Sequence, residues 1–518
     1  MIKDGRVALY GSYNGRHNEE RTLHSFVPYT RLNRIEGDST PHLKAGAIRV
    51  HAIRWMPRFV LVLSYVMTSL SGIYASHSEA QSAGDADRIK RGQYLATAGD
   101  CVACHSAPAG KPYAGGLSLP TPLGAIVSTN ITPSKTHGIG NYTLAQFTDA
   151  LRKGERADGQ RLYPAMPYTS YALVTDDDAA ALYAYFMHGV APVDAAPDPT
   201  ALPFPFNIRL SMAAWNLLFL DDKPFRSDPS KSAEWNRGAY LSRGLAHCSA
   251  CHTPRNFMMA EDSAREFGGG DVGTWYAPNI TSDAISGIGS WNEQEIAGYL
   301  HSGDAMNKSQ AAGPMAEAID HSLRHLNDAD LHAIAIYLKS VPPIHDAADT
   351  RAASSWGAKA DDLISIRGVP LPTDLNRMTG PQLYDAHCAT CHQAHAEGSF
   401  DGGLPSLFHN AALGRSKANN LVMVILDGVQ RQVDPPELRM PGFAHSLSDQ
   451  QIATLASYLT QRYGNPKAVV TADEVKSLRQ GGAPSSLVAL ARVSMAVGLI
   501  VVIGLIFFVV RRRRRRST

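Results

Sequence analysis

The chain has 518 residues, enough for three or four units of ordinary domain size rather than a single core. Its net charge of +2 depends on six consecutive arginines near the C-terminus and a basic N-terminal stretch. Residues 83–510 alone carry 33 Lys and Arg against 41 Asp and Glu, a net 33 − 41 = −8, so no nucleic-acid partner is expected.

In chain order, residues 1–55 are polar and weakly patterned, and are expected to be a misassigned leader. Met56 is the better start: Met56-Pro57-Arg58 is a short basic region, Phe59 to Tyr74 an apolar run, and Ala75 or Ala80 a plausible cleavage site. Residues 56–82 are therefore read as a signal-peptide region, with a retained N-terminal membrane anchor as the other reading. Either reading exports the chain from residue 83 onward.

Residues 85–196 form the first expected unit. Arg91-Gly92-Gln93-Tyr94-Leu95 leads into Cys101-Val102-Ala103-Cys104-His105. Cys-x-x-Cys-His reads as a c-type haem attachment site, in which the two thiols form thioethers and the histidine ligates iron. Asn130-Ile131-Thr132 and Gly138-Ile139-Gly140 come next, then Met166 between Pro164 and Pro167, and an amphipathic stretch from Asp178 to Phe186. Ala191 to Pro205 is Pro-rich and reads as a linker.

The second unit, 206–345, repeats this order: Arg237-Gly238-Ala239-Tyr240-Leu241, then Cys248-Ser249-Ala250-Cys251-His252. A constant offset of 149 residues carries Asn130-Ile131-Thr132 onto Asn279-Ile280-Thr281, Gly138 onto Gly287, Leu151 onto Leu300, Gly154 onto Gly303 and Met166 onto Met315. The sixth haem ligands are therefore expected to be Met166 and Met315, with Met306, at an offset of 140, a rival to Met315. A methionine by itself is more often a soft core filler; the repeat is what selects these two. Gly268-Gly269-Gly270 is expected to turn close to the haem rather than to cradle phosphate. Asp328 to Leu338 closes the unit, and Val341 to Asp374 reads as a second linker.

The third unit, 375–464, runs from Gln382-Leu383-Tyr384 through Cys388-Ala389-Thr390-Cys391-His392 to Met440 in Arg439-Met440-Pro441-Gly442, and closes with Ser448 to Leu459. The three motifs use all six cysteines. They lie 147 and 140 residues apart, each opening its own segment, which disfavours one zinc site built from paired motifs. Three covalent haem c groups are expected, held by Cys101, Cys104, Cys248, Cys251, Cys388 and Cys391, with His105, His252 and His392 on iron and Met166, Met315 and Met440 opposite. No dinucleotide fingerprint or nucleophile elbow accompanies them, so no catalytic residue is expected.

Residues 465–486 read as a third linker and 487–510 as a membrane-spanning helix, with Arg492 snorkelling at one end. The basic tail 511–518, containing Arg511 to Arg516, is expected to stay cytoplasmic, which puts the haem units on the periplasmic side of the bacterial inner membrane. The expected fold is all-α: three tandem cytochrome c domains plus one C-terminal transmembrane helix.

Over residues 85–465 the chain resembles the triple-haem cytochrome c subunits of membrane-bound bacterial dehydrogenases for alcohols, gluconate, sorbitol, fructose and aldehydes. Beyond the haem motifs the resemblance rests on Phe204-Pro205-Phe206-Asn207, Glu234-Trp235-Asn236, His252-Thr253-Pro254-Arg255 and Tyr276-Ala277-Pro278-Asn279. It implies an electron-transfer subunit that takes electrons from a separate catalytic dehydrogenase subunit, sometimes joined by a small third subunit, and delivers them to membrane ubiquinone. A flavoprotein partner of the gluconate or polyol type is the first reading; a quinoprotein alcohol dehydrogenase or a molybdenum aldehyde or N-heterocycle dehydrogenase is the alternative. A self-contained haem peroxidase, with one iron lacking its methionine, is the reading from another class.

Overall fold

The computed structural model of the chain describes residues 84–400, 403–431, 438–482 and 486–515. The leader 1–55 and signal-peptide region 56–82 lie outside the described residues. Helix dominates, as the periodicities require, but four two-stranded antiparallel hairpins interrupt it, so the all-α expectation becomes mainly α.

Each haem motif sits within the same set of three helices. The leading helices are 84–98, Ala233–Tyr240 and Gly380–His387. The middle helices are Leu144–Lys153, Glu293–Ser302 and Asn419–Asp427. The closing helices are Asp176–Ala184, Asp328–Ser340 and Asp449–Tyr463. The 149-residue offset holds to the residue in the middle helices: Thr143 and Asn292 cap their starts in capping boxes with Gln146 and Glu295, and Gly154 and Gly303 end them at φ 61° and 75°. Thr175, Asn327 and Ser448 cap the closing helices. The first closing helix therefore starts two residues before the expected Asp178, and passes into a π-helical turn at Tyr185–Gly189.

Leading and closing helices cross closely because a glycine stands at each crossing. A Cβ on Gly92 would lie 2.0 Å from the Ala181 carbonyl oxygen, and one on Gly238 would lie 1.9 Å from that of Ala333. In the third set Gly380 takes this place against Tyr458. Beside the crossing, Arg91 bonds Asp178 through Nε at 2.8 Å, and Arg237 bonds Asp330 through Nε and Nη2, both at 2.7 Å.

Among the described residues two large hydrophobic cores result rather than one per helix set, beside a small cluster of Tyr168, Trp215 and Ala260. One runs from Leu95 to Val341 and merges the first two helix sets; the other runs from Leu363 to Val475. The merger is reciprocal: Tyr94 of the first set donates to Asp330 of the second at 2.6 Å, and Tyr240 of the second donates to Asp178 of the first at 2.6 Å. The third set docks on the second. Arg431 donates to the Ser302 carbonyl at 2.6 Å and to Asp320 at 2.7 Å, and Asn420 pairs with the backbone of Tyr276 through both ends of its amide.

The stretches expected to be linkers are packed segments. Val193 and Ala195 receive the Asn130 amide, Ile344 receives that of Asn279, and residues 465–486 contain a helix, Ala472–Arg479, whose Val475 is fully buried in the third core. Their Pro-rich composition breaks secondary structure, yet their carbonyls are the partners that buried asparagines need. The last helix, Leu487–Arg514, has a mean hydropathy of 3.0 over its most apolar window and none of that window is buried, so it has the length and composition to cross a membrane.

Candidate haem-attachment sites

Each Cys-x-x-Cys pair occupies one helical turn, Cys101–Cys104, Cys248–His252 and Ala389–His392 with Cys388 as its cap. That turn puts both thiols on one side with the histidine directly after them. In the first two copies the residue before the turn is left-handed, Asp100 at φ 51° and His247 at φ 35°, so the leading helix stops and the chain re-enters helix at a new angle. None of the six cysteines is paired in a disulfide. Burial pushes Cys101, Cys248 and Cys388 up to about 12 and Cys104 to about 11, with neighbouring Asp100 or cysteines adding to the effect. Burial of this kind suits cysteines that end as neutral thioethers.

The histidines are oriented by one device, used three times. Nδ1 of His105 lies 2.7 Å from the Thr129 carbonyl, Nδ1 of His252 lies 2.6 Å from that of Pro278, and Nδ1 of His392 lies 3.0 Å from that of Pro405. A carbonyl only accepts, so Nδ1 carries the proton and Nε2 is left with a lone pair that can bind a metal. Burial also lowers the pKa of all three imidazoles, that of His252 to about 4, which keeps them neutral and available as ligands.

The hairpins explain how these carbonyls arrive. Ser118–Thr121 pairs with Gly124–Val127, and Gly270–Val272 with Trp275–Ala277, each hairpin ending just before the residue that meets the histidine. Asn130 and Asn279 then lock the turn: Oδ1 accepts from the backbone and hydroxyl of Thr132 at 2.9 and 2.7 Å, and from those of Thr281 at 2.8 and 2.7 Å. The repeated Asn-Ile-Thr is thus a staple for the carbonyl. Gly269 donates to the His252 carbonyl at 2.7 Å, so the triple glycine does turn against the motif.

Met166 and Met315 are half-buried and both pack on the merged core; Met315 lies in the first turn of Gly313–His321, whereas Met306 is 72% exposed. Met440 is half-buried at the end of a hairpin, Val429–Arg431 with Leu438–Met440. Tyr171 bridges the approaches to the first two attachment turns. Tyr171 donates to the Gly99 carbonyl at 2.9 Å beside one turn, and its ring meets that of His247, before the other, edge-on at 5.6 Å.

Sequence reasoning missed the carbonyls that hold the histidines, and also Arg415. Burial lowers the pKa of Arg415, opposed by Tyr276, Asp349 and Tyr299, and its charge is felt at His252. It brings a cation from the third helix set to the second haem site.

Residues 89–189 and 378–462 match the Cytochrome c family. The chain is 48% identical to the fructose dehydrogenase cytochrome subunit of Gluconobacter japonicus, over 78% of this chain and 85% of that one. This chain belongs to the cytochrome c subunits of dehydrogenases. The cytochrome subunit is also 40% identical to the gluconate 2-dehydrogenase cytochrome c subunit of Pantoea cypripedii, over 81% of this chain and 95% of the relative. With the cytochrome c subunit of the alcohol dehydrogenase (quinone) of Gluconacetobacter polyoxogenes it shares 39% identity, over 78% and 86%. Its role is electron transfer within a dehydrogenase complex, by means of covalently bound haem c.

Proposed function

We propose that this cytochrome subunit holds three haem c groups and conducts electrons from a catalytic dehydrogenase subunit to ubiquinone in the bacterial inner membrane. The observation that carries the reading is the threefold use of one arrangement, a Cys-x-x-Cys turn followed by a histidine whose Nδ1 is held by a backbone carbonyl. Haem, when bound, supplies reversible one-electron chemistry. Cys101, Cys104, Cys248, Cys251, Cys388 and Cys391 would anchor it, His105, His252 and His392 would present Nε2 to its iron, and Met166, Met315 and Met440 would supply the further ligand. Domains at 85–196, 206–345 and 375–464 carry one haem each, on the periplasmic face, with 487–510 in the bilayer and 511–518 in the cytoplasm. The merged core and the Tyr171 bridge hold the first two sites as neighbours, and the docking of the third on the second extends the series.

The fructose and gluconate relatives, at 48% and 40% identity, favour a partner that oxidises a sugar or sugar acid; a flavin on that partner and a small third subunit are what the family resemblance adds. The alcohol dehydrogenase (quinone) relative, at 39%, supports the quinoprotein alternative. The full chain, produced in a host that matures c-type cytochromes, should contain three covalent haems by alkaline pyridine haemochrome assay against protein mass. Two or fewer refutes the reading. Co-purified with its catalytic subunit, it should reduce ubiquinone when fructose, gluconate or an alcohol is supplied, and the active substrate identifies the partner class.

A further inference from the structure

We infer that a second, monotopic contact with the membrane exists beside the anchor: the helix Ser211–Phe219 and the loop around Phe257 rest in the lipid headgroup layer. This rests on the reading that Leu487–Arg514 crosses the bilayer. The helix is apolar on both faces: inside, Trp215 is buried with Tyr168 and Ala260, and Met212 and Phe219 pack beside it. Its inner face is fixed by polar bonds: Asn216 accepts from the Tyr168 hydroxyl at 2.8 Å and donates to the Lys153 carbonyl at 2.9 Å, while Trp215 Nε1 donates to the Met258 carbonyl at 3.0 Å. Its outer face is a stripe of Leu210, Ala214, Leu217 and Leu218, spaced i, i+4, i+7 and i+8, in which the leucines are 77%, 87% and 64% exposed. The Trp215 bond holds the loop alongside, where Phe257 is 86% exposed. Isolated exposed apolar residues are ordinary, but a contiguous set on a well-anchored helix marks an interaction surface.

The anchor says what covers it. Arg492 Nε donates to the Phe204 carbonyl at 3.0 Å. Arg492 directly precedes the apolar run Val493 to Val510, about 27 Å of helix at ~1.5 Å per residue, close to the thickness of a hydrocarbon core. That bond places Phe204 at the edge of the hydrocarbon, and the apolar stripe begins six residues further on. A lipid surface continuous with the anchor accepts such a stripe, as interfacial helices do. The same segment clamps the Met166 loop: the Tyr163 hydroxyl donates to the Phe206 carbonyl at 2.9 Å, and Arg209 stacks on the Tyr163 ring at 4.6 Å. The lipid contact is thereby joined to the first haem unit.

The test uses the full haem-loaded chain in phosphatidylcholine–phosphatidylglycerol vesicles containing a diazirine-tailed phosphatidylcholine, with photoadducts mapped by mass spectrometry. Adducts are expected in 204–219 and 255–260 as well as in 487–510. The L210E/L217E/L218E variant should lose adducts in 204–219 by about tenfold while keeping those in 487–510 and an unchanged haem spectrum. Adducts confined to 487–510 in the unsubstituted chain overturn the inference and leave the anchor standing. The same pattern, accompanied by protection of 204–219 on adding the catalytic subunit in detergent, reassigns the stripe to that subunit. Absence of adducts from 487–510 removes the anchor reading, and this inference with it.

Discussion

His105, His252 and His392 each have one ring nitrogen committed to a carbonyl, so the choice left to each site is what stands opposite the other nitrogen. In the second site that choice is tested by a pair of substitutions. Met315→Leu should abolish the methionine-to-iron charge-transfer band of one haem, while Met306→Leu should leave every band in place; the opposite result transfers the ligand to Met306. A second prediction concerns the Arg237–Asp330–Tyr94 cluster. Burial works to raise the Asp330 pKa, but hydrogen bonds from Arg237 and Tyr94 outweigh it and hold the carboxyl below its usual value. Its stabilisation is complete above the unfolded value of about 3.9 and is lost as pH falls through the lower folded one. Burial and then the bond to Asp330 raise Tyr94 to about 12, so its contribution is complete below about 10 and is lost as pH climbs from there to about 12. Tyr94→Phe should cost roughly 1.5–3 kcal/mol in denaturant unfolding of the haem-loaded chain and make the alkaline loss shallower, the remainder coming from other buried tyrosines such as Tyr240 and Tyr337. The candidate cysteines, histidines and methionines could be proposed from the sequence because their chemistry has a side-chain signature. The carbonyls of Thr129, Pro278 and Pro405 have none, and only the neighbouring Asn-Ile-Thr repeat hinted that two of these turns mattered.

The closing helices were legible for the same reason that they are stable, namely apolar spacing with Asn or Ser at the start in the second and third, whereas the middle helices, Leu144–Lys153 and its counterparts, fall in the stretch that reads only as the loop leading to each methionine. What spacing does not reveal is where two helices cross. Gly92 and Gly238 mark those crossings: each leaves no room for a Cβ against a backbone carbonyl, and backbone cannot rotate aside as a side chain can. Gly238→Ala should therefore cost about 1–3 kcal/mol, read as a lowered denaturation midpoint together with reduced haem incorporation. Gly298→Ala, inside a helix with open space around it, should instead be neutral or slightly stabilising, which separates crowding from helix propensity. The short hairpins before Thr129 and Pro278 escaped the sequence reading because strands of three or four residues carry too little alternation to register. The helix Ala472–Arg479 was hidden by its surroundings: Asn465 to Ser486 is Gly- and Pro-punctuated overall, and the helix is held by Arg479 bonding Asp449 at 2.7 Å and the Leu447 carbonyl at 3.0 Å.

At the scale of the molecule, three motif-bearing segments become two bodies, a fused pair and a docked third. Arg431 is the buried link between them, with a side chain only 3% exposed and paired with Asp320 on the helix that carries Met315. Arg431→Ala removes both the ion pair and the bond to the Ser302 carbonyl, and should cost about 3 kcal/mol, with faster hydrogen exchange across Gly313–His321 than in the unsubstituted chain. The sequence spacing implied separate beads, because an internal repeat reports the unit and is silent about the contact between units. In the fused pair, Tyr94 reaches Asp330 while Tyr240 reaches Asp178, each half offering its partner the group it receives. Self-complementarity of that kind is what a twofold axis imposes on two identical subunits, and here one polypeptide supplies both. A dimer built on this contact would come apart on dilution; within a single chain the two halves hold one another at an effective concentration fixed by the connecting segment. Weakening the contact should therefore lower stability by the same amount at every protein concentration, leaving the first two haem sites tethered as neighbours even when the bonds between their halves are broken.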